Sequence, residues 1–203
     1  MKIILISQLT VLIKSRNETR ECLDKNLTGL ILASGYLPIP IPTNLSLLSK
    51  KLALRSHLFA LFERLEPCGV LLPGGSNIGD CPERDEFELA LLDLAEENKL
   101  PLLGICRGMQ LMGFRAGSKM KPVNNHIQSR HKLIGRINEV VNSFHELALK
   151  DCPIGYDVLA SSTDGTIEAI KHKSLPWQGW MWHPEREKSF KSSDIKRIKA
   201  MFL

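Results

Sequence analysis

The sequence contains few cysteines and no pattern that would pair them. The five cysteines, at positions 22, 68, 81, 106 and 152, are odd in number, and no two are separated by only two residues. A disulfide framework needs an even set, and a cysteine-rich zinc site usually contains C-x-x-C. We therefore expect free thiols, a reducing compartment and no metal site.

Long apolar runs are also absent. No stretch approaches the roughly 18 apolar residues that a membrane-spanning helix requires. The most apolar segment, Ile3–Ile13, is interrupted by Ser7, Gln8 and Thr10, and no small-residue cleavage site follows it. A secretory signal peptide would have an unbroken apolar core and such a site. The segment is predicted to be a buried strand, and we expect a cytoplasmic protein with no membrane partner.

Charge of one sign is not concentrated anywhere in the chain. The 27 basic and 22 acidic residues give a net charge of +5, and the basic residues are scattered apart from small clusters at 119–121 and 188–199. A nucleic-acid binder would gather its lysines and arginines on one face or along one helix. The sequence therefore predicts no nucleic-acid partner, although a modest positive field could favour an anionic substrate.

The first two-thirds of the chain alternates short apolar runs with helical patterns. Strands are predicted at 2–7, 69–72 and 101–105, with a proline-rich extended segment at 36–42. Helices are predicted at 19–34 with a break near Gly29, and at 45–49, 57–65, 84–99 and 107–114. This alternation predicts an α/β fold with a mainly parallel sheet flanked by helices.

The texture changes after Lys119. Short β-like runs occur at 133–137, 139–142, 157–161, 167–170 and 179–182, and a basic helix is predicted over Asp194–Leu203. These runs predict extra strands in the C-terminal third. A chain of 203 residues without a long linker is expected to form a single domain over residues 1–203.

One strand-to-helix junction has the strongest chemical signal. The motif GICRG, Gly104–Gly108, places a cysteine between two glycines where a predicted strand meets a predicted helix. In a nucleophile elbow the turn is so sharp that the flanking positions must be nearly free of side chain. The helix N-terminus also favours a thiolate. Cys106 is the predicted nucleophile, and the alternative is an ordinary buried thiol.

A thiolate that attacks an amide needs a proton donor for the leaving nitrogen, and histidine is the usual one. Of the six histidines, His183 follows the apolar run 180–182 and opens the motif His-Pro-Glu. Glu185 can reach back to the imidazole and fix its tautomer. His183 is therefore the predicted base and Glu185 the group that orients it.

The oxyanion formed on attack needs pre-positioned backbone N–H donors. The N–H of Arg107, directly after the nucleophile, is the expected first donor. The turn Pro73–Gly75 at the end of the preceding strand can supply the second, since glycine lets the backbone approach a substrate closely. Taken alone, this turn could equally be a plain connection.

These three features, in this order, resemble the class I glutamine amidotransferase family over nearly the whole chain. The resemblance is nearest to its stand-alone γ-glutamyl hydrolase branch, through the motifs GICRGMQ (104–110), VNSFH (141–145) and DGTIEAI (164–170). It implies a flavodoxin-like sheet, a small γ-glutamyl substrate, and no metal or organic cofactor. It indicates no particular oligomeric state.

The resemblance also implies a role for each motif residue. Cys106 would form a γ-glutamyl thioester, His183 would move the proton and Glu185 would orient His183. The amides of Gly75 and Arg107 would form the oxyanion hole. The glutamyl group would be held by Gly74, Gln110, Ser143, Phe144 and His145. On the residues alone, His145 could instead be a surface loop residue.

The chain departs from this branch in being short, with a compact segment at 117–130 after the elbow helix. Basic and amide residues gather there: Lys119, Lys121, Asn124, Asn125, His126, Gln128 and Arg130. The segment could be a solvated loop. Alternatively, together with Asn77 and Arg84, it would recognise an anionic leaving group, which could be nucleotide-linked, as in relatives that serve capsule modification.

Three functions compete at this stage. The first is a free-standing hydrolase of a γ-glutamyl–nitrogen bond, for example one that acts on γ-glutamyl-γ-aminobutyrate or a nucleotide-linked amidate. The second is the glutaminase component of an amidotransferase that passes ammonia to a separate synthetase. The third is a non-catalytic relative on the same fold. Because such a relative would usually lack the nucleophile or the base, the presence of both favours an enzyme.

Overall fold

The structure is a computed structural model that describes residues 1–43 and 51–203. Within these residues the central element is a nine-stranded sheet whose first five strands run parallel. In spatial order they are β4 (Leu37–Ile41), β1 (Ile3–Ser7), β5 (Gly69–Leu72), β6 (Leu102–Ile105) and β13 (Trp177–Trp180). β5 and β6 are buried throughout, as expected of parallel strands covered on both faces.

The sheet continues beyond β13 with four antiparallel strands. In spatial order they are β12 (Ile167–His172), β11 (Tyr156–Ser162), β8 (Ile127–Gly135) and β9 (Val140–Phe144). The short strands β7 (Met120–Pro122) and β10 (Leu147–Leu149) pair with each other outside the main sheet. The predicted fold class, a mainly parallel α/β sheet with extra strands in the C-terminal third, is confirmed.

The helices form two groups. They are α1 (Lys25–Ala33), α2 (Lys51–Leu65), α3 (Pro82–Glu97), α4 (Arg107–Arg115) and α5 (Ser192–Met201). α3 contacts both α2 and α4, whereas α1 contacts α5. α3 buries Phe87, Leu91 and Leu94, as its periodicity predicts. Among the helices of the described ranges, none is long and apolar enough to cross a membrane.

The N-terminal segment differs from the prediction of one buried strand over Ile3–Ile13. β1 ends at Ser7, and the chain enters a separate hairpin of β2 (Leu9–Ile13) and β3 (Glu18–Cys22). The hairpin turns through Asn17, whose φ of 48° is left-handed, a conformation that asparagine tolerates better than most residues. Apolar composition was misleading here, because β2 leaves Leu12 56% exposed.

The predicted helix over 19–34 is wrong in its first part, which is strand β3. α1 begins after Asp24, whose carboxylate accepts a hydrogen bond from the Asn26 N–H at 2.8 Å, the usual N-cap arrangement. Gly29 does not break the helix, because burial of Leu27, Leu30 and Ile31 outweighs its low propensity. The predicted helix at 45–49 lies outside the described residues.

Candidate active site

Cys106 lies where β6 meets α4, at the carboxyl edge of the parallel strands. Its φ of 49° and ψ of −102° are a conformation that non-glycine residues rarely adopt. A Cβ on Gly104 would lie 2.6 Å from the carbonyl carbon of Gly108, and one on Gly108 would lie 2.2 Å from the Leu72 oxygen. Both flanking positions therefore require glycine. The geometry is that of a nucleophile elbow.

His183 and Glu185 lie together at the end of β13. Nδ1 of His183 is 2.6 Å from Oε1 of Glu185, and both side chains are buried. This hydrogen bond assigns the proton of the neutral imidazole to Nδ1. Burial opposes a charge on the ring, but hydrogen bonds to Cys106 and Glu185 and their negative charge outweigh it and raise the pKa of His183 to about 9.

Asn142, on β9, holds the backbone of His183. Its Oδ1 accepts the His183 N–H at 2.9 Å, and its Nδ2 donates to the His183 carbonyl at 2.8 Å. The Phe144 ring meets the imidazole edge-on, with centroids 5.8 Å apart. Asn142 had no predicted role, although its place in the VNSFH motif was an available signal. These contacts fix the position of the candidate base.

The turn Pro73–Gly75 approaches the same point from β5. A Cβ on Gly74 would lie 2.6 Å from Cε1 of His183, so the turn packs against the imidazole. Arg107 is the first residue of α4, and its N–H has no acceptor within the helix. In the described part of the chain, no acceptor is found for the Gly75 N–H either. Both amides are available as oxyanion donors.

Arg84 does not lie where a leaving group could reach it, contrary to the prediction. Its side chain is 1% exposed and its Nε donates to Glu88 at 2.8 Å. Its Nη2 donates to the carbonyls of Pro73 and Gly74 at 3.1 and 3.2 Å. Arg107 also pairs with Glu88 and with Asp85. The position of Arg84 indicates support for the Pro73–Gly75 turn instead.

A cavity of about 260 Å³ opens beside Cys106. Its lining includes five of the other predicted site residues: Gly75, Asn77, Gln110, Phe144 and His145. It also includes four that were not predicted: Ser76, Asp80, Ile127 and Glu146. Ser143 is not among the lining residues, because its hydroxyl is buried and donates to the His126 carbonyl at 2.7 Å.

A larger cavity of about 710 Å³ adjoins the first and shares Ser76 and Asp80 with it. The hairpin β2–β3 forms one side of the larger cavity, through Thr10, Leu12, Thr19 and Glu21. Acids contribute to both linings, whereas no lysine or arginine does among the residues that the structure describes. This second cavity was not foreseen because the hairpin was not.

The basic and amide segment 117–130 is largely directed elsewhere. Lys119 lines a separate depression with Lys150 and Asp151, and Arg130 pairs with Glu187 at 3.0 Å. Asn77 is the member of that hypothesis that reaches the cavity by Cys106, where its Nδ2 donates to Glu146 at 3.1 Å. The predicted recognition of an anionic group by this segment is not supported by these positions.

Comparisons with known proteins agree with this arrangement. The family described as glutamine amidotransferase class-I matches residues 45–199. The chain is 30% identical to a γ-glutamyl-CDP-amidate hydrolase of Campylobacter jejuni, over 97% of this chain and 96% of that protein. It is also 30% identical to the glutamine-hydrolysing component of a GMP synthase of Thermococcus kodakarensis, over 66% of this chain and 74% of that one.

The fold has a counterpart among solved structures. A protein from Thermoplasma acidophilum, described as a component of GMP synthase, aligns with all of this chain and 94% of its own length. The TM-score is 0.73 and the sequence identity 17%. At that identity the likeness is one of fold.

Proposed function

The chain belongs to the class I glutamine amidotransferase family, and from that premise we propose that it is a free-standing hydrolase of a γ-glutamyl–nitrogen bond. The observation that carries the proposal is the convergence of Cys106, the His183–Glu185 pair and two free backbone amides on one cavity. This constellation supplies a nucleophile, an oriented acid–base group and oxyanion donors.

The proposed reaction has two halves. In the first, the Cys106 thiolate attacks the γ-carbonyl carbon, and the amides of Gly75 and Arg107 bind the resulting oxyanion. When that intermediate collapses, the C–N bond breaks, the imidazolium of His183 protonates the leaving nitrogen, and a γ-glutamyl thioester remains. In the second half, His183 takes a proton from water, the water oxygen attacks the thioester, and the C–S bond breaks to release glutamate.

The mechanism is tested by replacing the nucleophile. Cys106→Ala should reduce hydrolysis of every γ-glutamyl compound by at least about a thousandfold, because no nucleophile remains. Cys152→Ala is the matched control, since Cys152 is exposed and does not line either cavity. Intact-mass spectrometry of quenched wild-type enzyme should detect the glutamyl adduct. Full activity in Cys106→Ala would contradict the proposal.

For the leaving group, we propose that the substrate is γ-glutamyl-CDP-amidate, which hydrolysis would split into glutamate and cytidine diphosphoramidate. The support is the near full-length relationship to the Campylobacter jejuni hydrolase named for that compound. The adjoining cavity of about 710 Å³ lies within the size range of small-molecule sites.

A specific observation favours a second candidate, a γ-glutamyl derivative of a cationic amine. Asp80 lines both cavities, Glu146 lines the first, and Glu21 and Glu83 line the second. Carboxylates attract an ammonium group and repel a diphosphate, by about 1 kcal/mol per charge pair in a well-hydrated site. The acidic lining thus supports an amine leaving group.

A panel of substrates separates these candidates. Purified enzyme should be assayed for kcat/KM with γ-glutamyl-CDP-amidate, a γ-glutamyl polyamine, γ-glutamyl-γ-aminobutyrate and glutamine. A preference of tenfold or more for one substituted amide over glutamine identifies the leaving group and argues against a glutaminase component of a larger synthetase. Equal or better turnover of glutamine would instead support that second function, in which ammonia passes to a partner.

A further inference from the structure

Three histidines that the proposed chemistry does not use meet a buried glutamate between β8, β9 and β12. His126 Nδ1, His131 Nε2 and His145 Nε2 each lie 3.3 Å from Oε1 of Glu168. His126 Nδ1 and His145 Nε2 are also 3.3 Å apart. The Glu168 side chain is 0% exposed and the three imidazoles at most 12%. We call these four residues the histidine cluster.

The outer nitrogens of two imidazoles are already engaged. His126 Nε2 is 2.9 Å from Oδ2 of Asp164, and His145 Nδ1 is 3.2 Å from the Leu147 carbonyl. Since both partners are acceptors, the proton of each neutral ring belongs on the outer nitrogen. The two inner nitrogens are then bare, and two lone pairs facing each other cannot form a hydrogen bond.

The cluster also lacks the partners that buried polar atoms need. None of the three contacts to Glu168 has hydrogen-bond geometry, so both carboxylate oxygens and His131 Nε2 are buried without a partner in the described ranges. Across those ranges no lysine or arginine pairs with Glu168. Isolated buried charges and unpaired polar atoms are costly. A cation between these atoms would satisfy them together.

The spacing matches a tetrahedral metal ion. Zinc binds imidazole nitrogen and carboxylate oxygen at about 2.0–2.1 Å, so the edges of its ligand tetrahedron are about 3.3–3.4 Å long. Four of the six edges of the histidine cluster are 3.3 Å. Asp164 and the Leu147 carbonyl lie behind two of the imidazoles, where such acceptors usually orient metal-binding histidines.

From this geometry we propose that the chain binds one divalent ion of the zinc class through His126 Nδ1, His131 Nε2, His145 Nε2 and Glu168. The carboxylates of Glu168 and Asp164 balance its two charges. Four protein ligands close the coordination sphere, which is the mark of a structural site. The ion would join the hairpin β8–β9 to β12 and so brace His145 and Glu146 in the cavity wall. Cysteine spacing predicted no metal, because the ligands of this site are histidines and a glutamate.

The test uses Zn²⁺ and the full chain, purified without a polyhistidine tag. After chelator treatment, exposure to Zn²⁺ and desalting, elemental analysis should find about one zinc per chain, held with a Kd below about 1 µM. Zn²⁺ should also raise the thermal unfolding midpoint. His131→Asn, at the most exposed ligand, should weaken binding at least tenfold and abolish that rise. Glu168→Gln should weaken binding at least as much.

Two variants serve as controls. Cys106→Ala removes a potential metal ligand of the catalytic site and should still bind one zinc, which separates this proposal from the proposed function. His57→Asn removes an exposed histidine outside the cluster and should bind zinc like the wild type. Wild-type protein that retains far less than one zinc per chain, or equal binding by His131→Asn and wild type, would overturn the proposal. So would loss of zinc in Cys106→Ala.

Discussion

His183 is the single residue whose protonation controls the proposed reaction. Its Nδ1 is held by Glu185, and the two negative neighbours raise its pKa to about 9. The imidazolium therefore persists through neutral pH beside the nucleophile, ready to protonate a leaving nitrogen. The stabilisation from the raised pKa is fully present below the unfolded-state value of about 6.5 and is lost as pH rises through the folded value.

We expect thioester formation to be nearly constant around neutral pH and to fall about tenfold per pH unit above the basic limb near the raised pKa. Glu185→Gln removes one negative charge and should move that limb to lower pH, with reduced kcat. Single-turnover rates across pH measure both effects. Glu86→Gln, an exposed change on α3, should leave the limb in place. A limb unmoved in Glu185→Gln would exclude this role for Glu185.

Above the scale of single residues, the oxyanion turn depends on an element beneath it. α3 presents Glu88 to Arg84 and Arg107, and Arg84 in turn donates to two carbonyls of the Pro73–Gly75 turn. Ser7 at the end of β1 also donates to Glu88, at 2.7 Å. One buried carboxylate thus links β1, the turn after β5 and the first residue of α4.

Glu88→Gln should destabilise the protein by about 3–5 kcal/mol, since it leaves two buried guanidinium groups without their main counter-charge. Glu97→Gln on the same helix is the matched control. Its partner Arg55 is 2.5 Å away, but both side chains are about half exposed, so the loss should stay below about 1 kcal/mol. Denaturant unfolding of the three proteins compares them directly. Similar losses in both variants would contradict this account of the network.

The antiparallel half of the sheet contributes to the site through Asn142 on β9. Asn142→Ala breaks both hydrogen bonds to the His183 backbone and should lower kcat about tenfold or more, because small displacements of a base are costly. KM should change little, since Asn142 does not line the cavity by Cys106. Asn98→Ala, at the end of α3, is the control. A change confined to KM would place Asn142 in substrate binding instead.

The elements that could be predicted are those whose residues face one environment. β5, β6, α3 and α4 have uniform or periodic burial, and their motifs depend on local sterics at Gly104 and Gly108. The hairpin β2–β3 could not be predicted, because exposed Leu12 resembles a core residue in composition. The histidine cluster joins residues distant in sequence, and its spacing depends on the register of β8 against β9.

At the scale of the whole molecule, charge is distributed unevenly. The chain has a net charge of +5, yet acids and no described basic residues line the two cavities beside Cys106. A positive overall field raises the encounter rate of an anionic substrate, while the local carboxylates oppose its final placement. The two effects act on different quantities, association and transition-state binding, so they are separable by experiment.

Asp80 is the residue that tests this local field. It lines both cavities, and its Oδ2 accepts the Asn77 N–H at 3.0 Å, a bond that an asparagine oxygen can also accept. Asp80→Asn should raise kcat/KM about three- to tenfold for an anionic leaving group and lower it similarly for a cationic one, through one charge at moderate distance. Both changes should shrink at high salt.

Glutamine sets the reference for Asp80→Asn, because its leaving group is ammonia and the variant should leave its turnover nearly unchanged. Asp93→Asn, on the surface of α3 and paired with Arg115 at 2.8 Å, controls for a change in net charge alone. If glutamine turnover falls as much as that of the cationic substrate, Asp80 binds the α-ammonium of the glutamyl group. The acidic lining would then belong to the glutamyl half of the site, and the diphosphate leaving group would face less repulsion than its surroundings imply.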